Sequence, residues 1–205
     1  MRPSKTLLAV LVVAGVGALA WDAARPRVHP IKAADARKYS IALATPVDPA
    51  DPRSDLFGRA SAIDGDTLLI QGVEADLWTI DAPELAQTCD KDGRSWACGD
   101  ASRAHLEQLI GGRQVACRPE GPPTEDGRWL GICFVTDIPC QGDTGPCESD
   151  LESLNLAQVT DGWAADIEGQ YMDSETDAQD RKAGLWAGRF ESPRDWRARQ
   201  APANP

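Results

Sequence analysis

Asp64-Gly65-Asp66-Thr67-Leu68-Leu69-Ile70-Gln71-Gly72-Val73-Glu74-Ala75-Asp76-Leu77-Trp78-Thr79-Ile80-Asp81-Ala82-Pro83-Glu84 is the stretch on which the chain turns. Leu68-Leu69-Ile70 and Leu77-Trp78-Thr79-Ile80 are short runs of strand character joined through Gln71-Gly72. Asp64 and Asp66 stand before the pair, and Asp81 and Glu84 after it. Paired as a hairpin, the runs bring the two acid clusters to one end. Carboxylates held that closely repel one another unless positive charge sits between them, and a hard divalent cation with oxygen ligands is the usual answer. Gly65 and Pro83 supply tight turns that aim short side chains inward. Either half alone reads as a solvated turn; both together, each with its own strand, read as a site.

A chain of 205 residues suits one ordinary domain with extensions. Its N-terminus opens with Arg2 and Lys5, followed by an uncharged apolar run from Leu7 to Trp21 that contains Ala18-Leu19-Ala20. That pattern is an export signal with a small-x-small cleavage site; the alternative is an uncleaved anchor, for which the run is short against the roughly 20 residues of a membrane span. The expected location is therefore periplasmic or secreted, with a membrane-anchored form facing the periplasm as the alternative. The net charge of −11 disfavours avid binding to a polyanion, because long-range repulsion slows encounter. A local positive cleft remains compatible with it.

Residues 1–21 are thus read as signal or anchor, 22–55 as a proline-bearing linker, 56–197 as the domain and 198–205 as a mobile tail. The domain opens with a strand over Leu56-Phe57 and Ala60 to Ile63, followed by the hairpin. Ala101 to Ile110 reads as a helix with Asp100 as N-cap and Gly111-Gly112 as its stop. Gln114 to Cys117 and Trp129 to Val135 read as a further strand pair. Helical stretches follow near Leu151 to Thr160 and Ser174 to Gly184, and Glu191 to Pro205 reads as a polar end. The sum is an α+β domain, mainly β, with five strands and about three helices. Trp78, Trp129, Trp163, Trp186 and Trp196 read as core or rim residues.

Six cysteines, all between Cys89 and Cys147, point to an oxidising compartment. Six allow 15 pairings; local spacing selects Cys89 with Cys98, Cys117 with Cys133 across the expected strand pair, and Cys140 with Cys147. Each bridge would contribute about 3 kcal/mol by loop entropy. The alternative, a zinc site, lacks any C-x2-C pair. His29 lies in the linker and His105 is expected on a helix surface.

Asp64-Gly65-Asp66-Thr67, the short hairpin and Ile80-Asp81-Ala82-Pro83-Glu84 resemble the thermonuclease family, the staphylococcal-nuclease-like domains. The likeness continues through Asp126-Gly127-Arg128, Asp161-Gly162-Trp163-Ala164 and Gly184-Leu185-Trp186, and it covers about Leu56 to Arg197. The resemblance implies an OB-fold barrel. It implies a calcium ion on Asp66, Asp81 and the backbone carbonyl of Ala82, with Asp64 supporting the turn from behind. Glu84 would act as general base or position the attacking water, and Arg128 would neutralise charge on the transition state of nucleic-acid hydrolysis.

One position departs from the family. An arginine stands there five residues before the second metal-binding aspartate, and this chain has Asp76. A two-unit change of charge at about 4 Å and an effective dielectric of about 20 weighs heavily on the rate. Asp126 and Ala165-Asp166-Ile167 also lack the aromatic residues that commonly stack on bases. Three readings result: a calcium-dependent phosphodiesterase on DNA or RNA; a barrel that has lost most catalysis and serves as a binding or structural module at the envelope; and, as a variant of the first, Asp76 as an extra metal ligand. Strict strand alternation would require a bend for that last reading. The residues point to no protein partner.

Overall fold

The computed structural model describes residues 56–124, 126–136 and 152–201. The residues read as export signal or anchor and as linker, and the expected Cys140–Cys147 pair, lie outside the described residues.

Three strands open the domain: β1 (Leu56–Ala62), β2 (Thr67–Ile70) and β3 (Val73–Leu77). Gln71 and Gly72, at φ 50° and 85°, form the tight turn between β2 and β3; two successive left-handed residues match the twist of a hairpin. The second run of the hairpin differs from the sequence expectation. It starts earlier, at Val73, and breaks after Leu77, because Thr79 adopts φ 66°. Ile80–Asp81, β4, then leaves the barrel and pairs with a late strand, β10 (Ala165–Asp166).

A disulfide-braced hairpin follows, β5 (Cys89–Lys91) and β6 (Arg94–Trp96), and leads into helix α1 (Cys98–Ile110). The helix begins three residues before the expected start and has no side-chain cap. Asp100 lies in its first turn, where a carboxylate favours the helix dipole, and pairs with Arg103. Gly111, left-handed at φ 55°, ends it as expected.

Strands β7 (Gln114–Pro119) and β8 (Trp129–Thr136) pair antiparallel, with Cys117 opposite Cys133 and bridged to it. The sheet runs β3-β2-β1-β7-β8, and β8 closes on β3 in parallel, with Ala75 opposite Trp129 and Leu77 opposite Gly131. The result is a closed five-stranded barrel of the OB-fold type, and closure removes the exposed edges. A short β9 (Glu152–Ser153) adds to β8 and runs into α2 (Leu154–Thr160), capped by Ser153. Helix α3 (Met172–Asp180), a 3-10 turn at Gly184–Ala187 and α4 (Pro193–Gln200) complete four α-helices among the described residues.

Alternation along β7 and β8 sorts the interior. Val115, Cys117, Cys133 and Val135 join Leu68, Ile70, Leu77, Leu106, Ile110 and Leu154 in the main core. Ala116, Ile132 and Phe134 face the other way and pack with Phe57 and Trp78. Trp129 is core, and Trp163 packs with Cys89, Cys98 and Leu185. The polar end of the chain is not featureless: Ser192 accepts from Asp195 N and Pro193 stands at the first helical position, so α4 starts there.

Candidate active site

The Asp64-Gly65-Asp66 turn is fixed from within and from below. Asp64 Oδ1 accepts from the backbone N–H of Asp66 at 3.1 Å and of Thr67 at 2.7 Å. Gly65 is buried where a Cβ would lie 2.0 Å from Ser102 Oγ and 2.6 Å from Ala82 Cβ, so the turn seats directly on α1 and on the second acid segment. Gln158 Nε2 donates to the Gly65 carbonyl from α2.

The two acid clusters meet. Asp66 Oδ2 accepts from Ala82 N at 2.6 Å, which ties the first turn to Asp81-Ala82-Pro83-Glu84. Burial, the neighbouring Asp64 and, more weakly, Asp81 push the Asp66 carboxyl well above the usual carboxylate range; the Ala82 hydrogen bond offsets only part of this. The Glu84 segment is held by Gln87, whose Oε1 accepts from Glu84 N, and by α1, where Gly99 packs against the Glu84 carbonyl.

Arg197, from α4, enters this cluster and was not foreseen from the sequence. Its Nη1 lies 2.9 Å from Asp81 Oδ1 and 2.6 Å from Glu84 Oε1, and Nη2 lies 3.4 Å from Asp81 Oδ2. Desolvation lowers its affinity for the proton, but the hydrogen bonds to Glu84 and Asp81 outweigh that, and the guanidinium is held above its ordinary range. The Ser192-Pro193 start signal was the available clue, since it places Arg197 on a helix.

Arg128 is engaged by two other carboxylates, Asp76 on β3 and Asp126. Its Nη1 is 2.9 Å from Asp76 Oδ2 and its Nε 3.0 Å from Asp126 Oδ2. Asp76 stands opposite Thr67 across β2 and β3 and accepts from its hydroxyl at 3.1 Å. The position where the resemblance implies an arginine is therefore the carboxylate that grips the remaining one. Burial raises the Asp76 pKa despite the Arg128 charge, so the ion pair does not fully repay desolvation. Arg128 is raised because Asp76 and Asp126 outweigh its own desolvation. Thr124 and Arg128 lower Asp126.

His105 is buried rather than on a helix surface. Gln158 Oε1 faces its Nδ1 at 2.5 Å, Asp161 lies 3.2 Å from Nε2, and Trp163 stacks on the ring. With the Gln158 amide N–H donating to Gly65, the amide oxygen is the atom that faces His105. These polar partners make burial tolerable; the local sequence carries no sign of them.

Among the described residues no group of three or more His, Cys, Asp or Glu side chains is arranged to hold a metal. The set implied by the resemblance is smaller, two carboxylates and the Ala82 carbonyl. It fits a hard cation in kind: all donors are oxygen, and among the described residues the crowded Asp66 forms no ion pair with a basic side chain. Asp81 differs, because both of its oxygens already face Arg197. Among the described residues no helix is long and apolar enough to cross a membrane.

The architecture is consistent with a thermonuclease-like superfamily fold and compatible with nucleic-acid-binding and hydrolase superfamilies. No protein-family model matches the chain. Over 142 residues it is 30% identical to the succinoglycan biosynthesis protein ExoI of Rhizobium meliloti (strain 1021), a span of 66% of this chain and 67% of that protein. With its closed barrel and this degree of identity, the chain belongs to the family of that ExoI protein.

Proposed function

We propose that the chain is an exported phosphodiester hydrolase of thermonuclease type, acting on DNA or RNA with a calcium ion on Asp66, Asp81 and the Ala82 carbonyl. The observation that carries the reading is the 2.6 Å hydrogen bond from Ala82 N to Asp66, which joins the two acid clusters at one end of the barrel with Glu84 alongside. When bound, the cation would draw negative charge off the phosphate oxygens. Glu84 takes the proton of the attacking water; the water oxygen forms the new bond to phosphorus, and the bond to the leaving oxygen breaks. Among the described residues the two ion pairs of Arg128 use Nη1 and Nε, and Nη2 donates to a phosphate oxygen as charge develops. Asp64 keeps the turn, and with it Asp66, in place. The two described disulfides support an oxidising location.

The test is cleavage of single-stranded and heat-denatured DNA by the oxidised full chain, with calcium and then with chelator. Calcium-dependent cleavage that disappears in Glu84→Gln supports the reading. Cleavage that survives both the chelator and Glu84→Gln removes it.

A second reading is favoured by one observation: Arg128 is gripped by both Asp76 and Asp126. Under it the barrel has given up hydrolysis and serves as a binding module at the cell envelope. A relative named for succinoglycan biosynthesis sits comfortably with that role. Calcium binding with no cleavage of any nucleic acid would select it.

A further inference from the structure

We propose that Arg197 is the resident counter-ion of the acid cluster: a positioning residue that holds Glu84 beside Asp81 and yields Asp81 when a divalent cation binds, loosening the C-terminal helix as it does so. The inference rests on the reading that Asp66 and Asp81 hold a cation.

The contacts define an exchange rather than an addition. Nη1 of Arg197 is shared between Asp81 Oδ1 and Glu84 Oε1, and Nη2 faces Asp81 Oδ2, so Asp81 presents no oxygen without a guanidinium partner. A cation that takes Asp81 competes with these bonds for the same carboxylate, because the cation and the guanidinium repel each other across it. Asp66, crowded by Asp64 and, among the described residues, without an ion pair to a basic side chain, is the half of the cluster left uncompensated and the point at which a cation first gains. Asp81 is buried while the Arg197 side chain is 48% exposed, so the guanidinium has the freer path to solvent.

The same bonds tether α4. Ser192 pairs with Asp195 and Arg199 with Glu191, all within the segment itself. Among the described residues, Arg197 is the one side chain of α4 that hydrogen-bonds or ion-pairs with the rest of the domain. Pro193 is buried and Gln87 Nε2 holds the Glu191 carbonyl at 2.8 Å, so the start of the helix stays anchored when its arginine lets go. Loss of the Asp81 contact removes two of the three hydrogen bonds by which Arg197 ties the helix to the domain and leaves the Glu84 bond, so the helix loosens from residue 194 onward while its hinge stays fixed.

The experiment is calcium titration of the oxidised full chain by calorimetry, with hydrogen exchange followed over residues 193–200, for the wild type, Arg197→Ala, Arg197→Gln and Arg197→Lys. Removing a charge-assisted competitor should tighten calcium binding about tenfold or more in Arg197→Ala and Arg197→Gln, with Arg197→Lys near the wild type. In the wild type, saturating calcium should speed exchange in α4. Unchanged or weaker calcium affinity in both neutral variants overturns the exchange while leaving the cation site intact. Calcium binding by none of the four proteins overturns the cation reading and the proposal with it.

Discussion

Asp76 is the residue at which charge alone should control affinity for nucleic acid. It grips Nη1 of Arg128, and Nη2 is the donor left for a phosphate. One guanidinium width and two hydrogen bonds would put that phosphate about 7 Å from the Asp76 carboxylate. At an effective dielectric of 20 a unit repulsion over that distance is about 2.4 kcal/mol, and at 40 about 1.2 kcal/mol. Replacing Asp76 by Asn removes the charge, retains an acceptor for Thr67 and Arg128, and leaves Asp126 to orient the arginine. The expected result is binding of a single-stranded oligonucleotide about 8- to 60-fold tighter at low salt, with the gain shrinking as salt rises. Stability should change by less than about 1 kcal/mol, because the lost ion pair is partly exposed and burial already penalises the Asp76 charge. Fluorescence anisotropy in chelator and in calcium measures the affinity, and a melt checks the fold. Asp76→Arg should add a second step in the same direction. Affinity that is flat or weaker in a well-folded Asp76→Asn would refute the idea that phosphate is received at Arg128.

Further expectations concern the frame around the cluster. Asp66 is more basic in the folded chain than in an unfolded one, so its contribution to stability is fully present below about pH 4 and is lost as pH rises through its folded-state value. Asp66→Asn should therefore match the wild type in strong acid and exceed it at neutral pH in chelator, as read from denaturant melts at several pH values; an advantage confined to acid would reverse the sign and refute this. Gly99→Ala would place a Cβ 1.8 Å from the Glu84 carbonyl oxygen, a clash costing about 2–3 kcal/mol and lowering Tm by about 5–10 °C. Thr79 combines φ 66° with a buried hydroxyl that has no partner among the described residues, so Thr79→Gly should stabilise the domain by about 1 kcal/mol; a lower Tm would show that the left-handed threonine is not strained.

What could be read from the sequence was local. Asp64-Gly65-Asp66 and Gln71-Gly72 announce their turns because Asp and Gly carry turn geometry in their own chemistry. The pairings Cys89–Cys98 and Cys117–Cys133 followed from short separations and from an expected strand pair. Misreadings arose wherever a distant segment decided. Leu77 to Ile80 looked like one strand because nothing nearby forces Thr79 left-handed; the pairing of Ile80–Asp81 with Ala165–Asp166 does. His105 lies on a helix rich in polar residues, and its burial depends on Gln158 and Asp161, more than 50 residues on. Arg197 meets Glu84 across 113 residues, a contact no spacing rule addresses. The local cap at Ser192-Pro193 was legible in principle and would have put the arginine on a helix, though not over the acids.

The parallel pairing of β3 with β8 has a kinetic consequence. It joins segments distant along the chain, and loop-closure entropy makes such contacts late events in folding. Asp76 lies in that register opposite Leu130, so the Asp76–Arg128 bond, between residues 52 apart, forms as the cylinder shuts. A folding intermediate with the β1–β3 meander and the bridged β7–β8 hairpin would hold every barrel strand and still lack the Arg128 side of the site. Closure of the barrel and completion of the Arg128 side of the site are then one event, and a ligand that bridges Arg128 and the acid turn would act as a clamp against reopening.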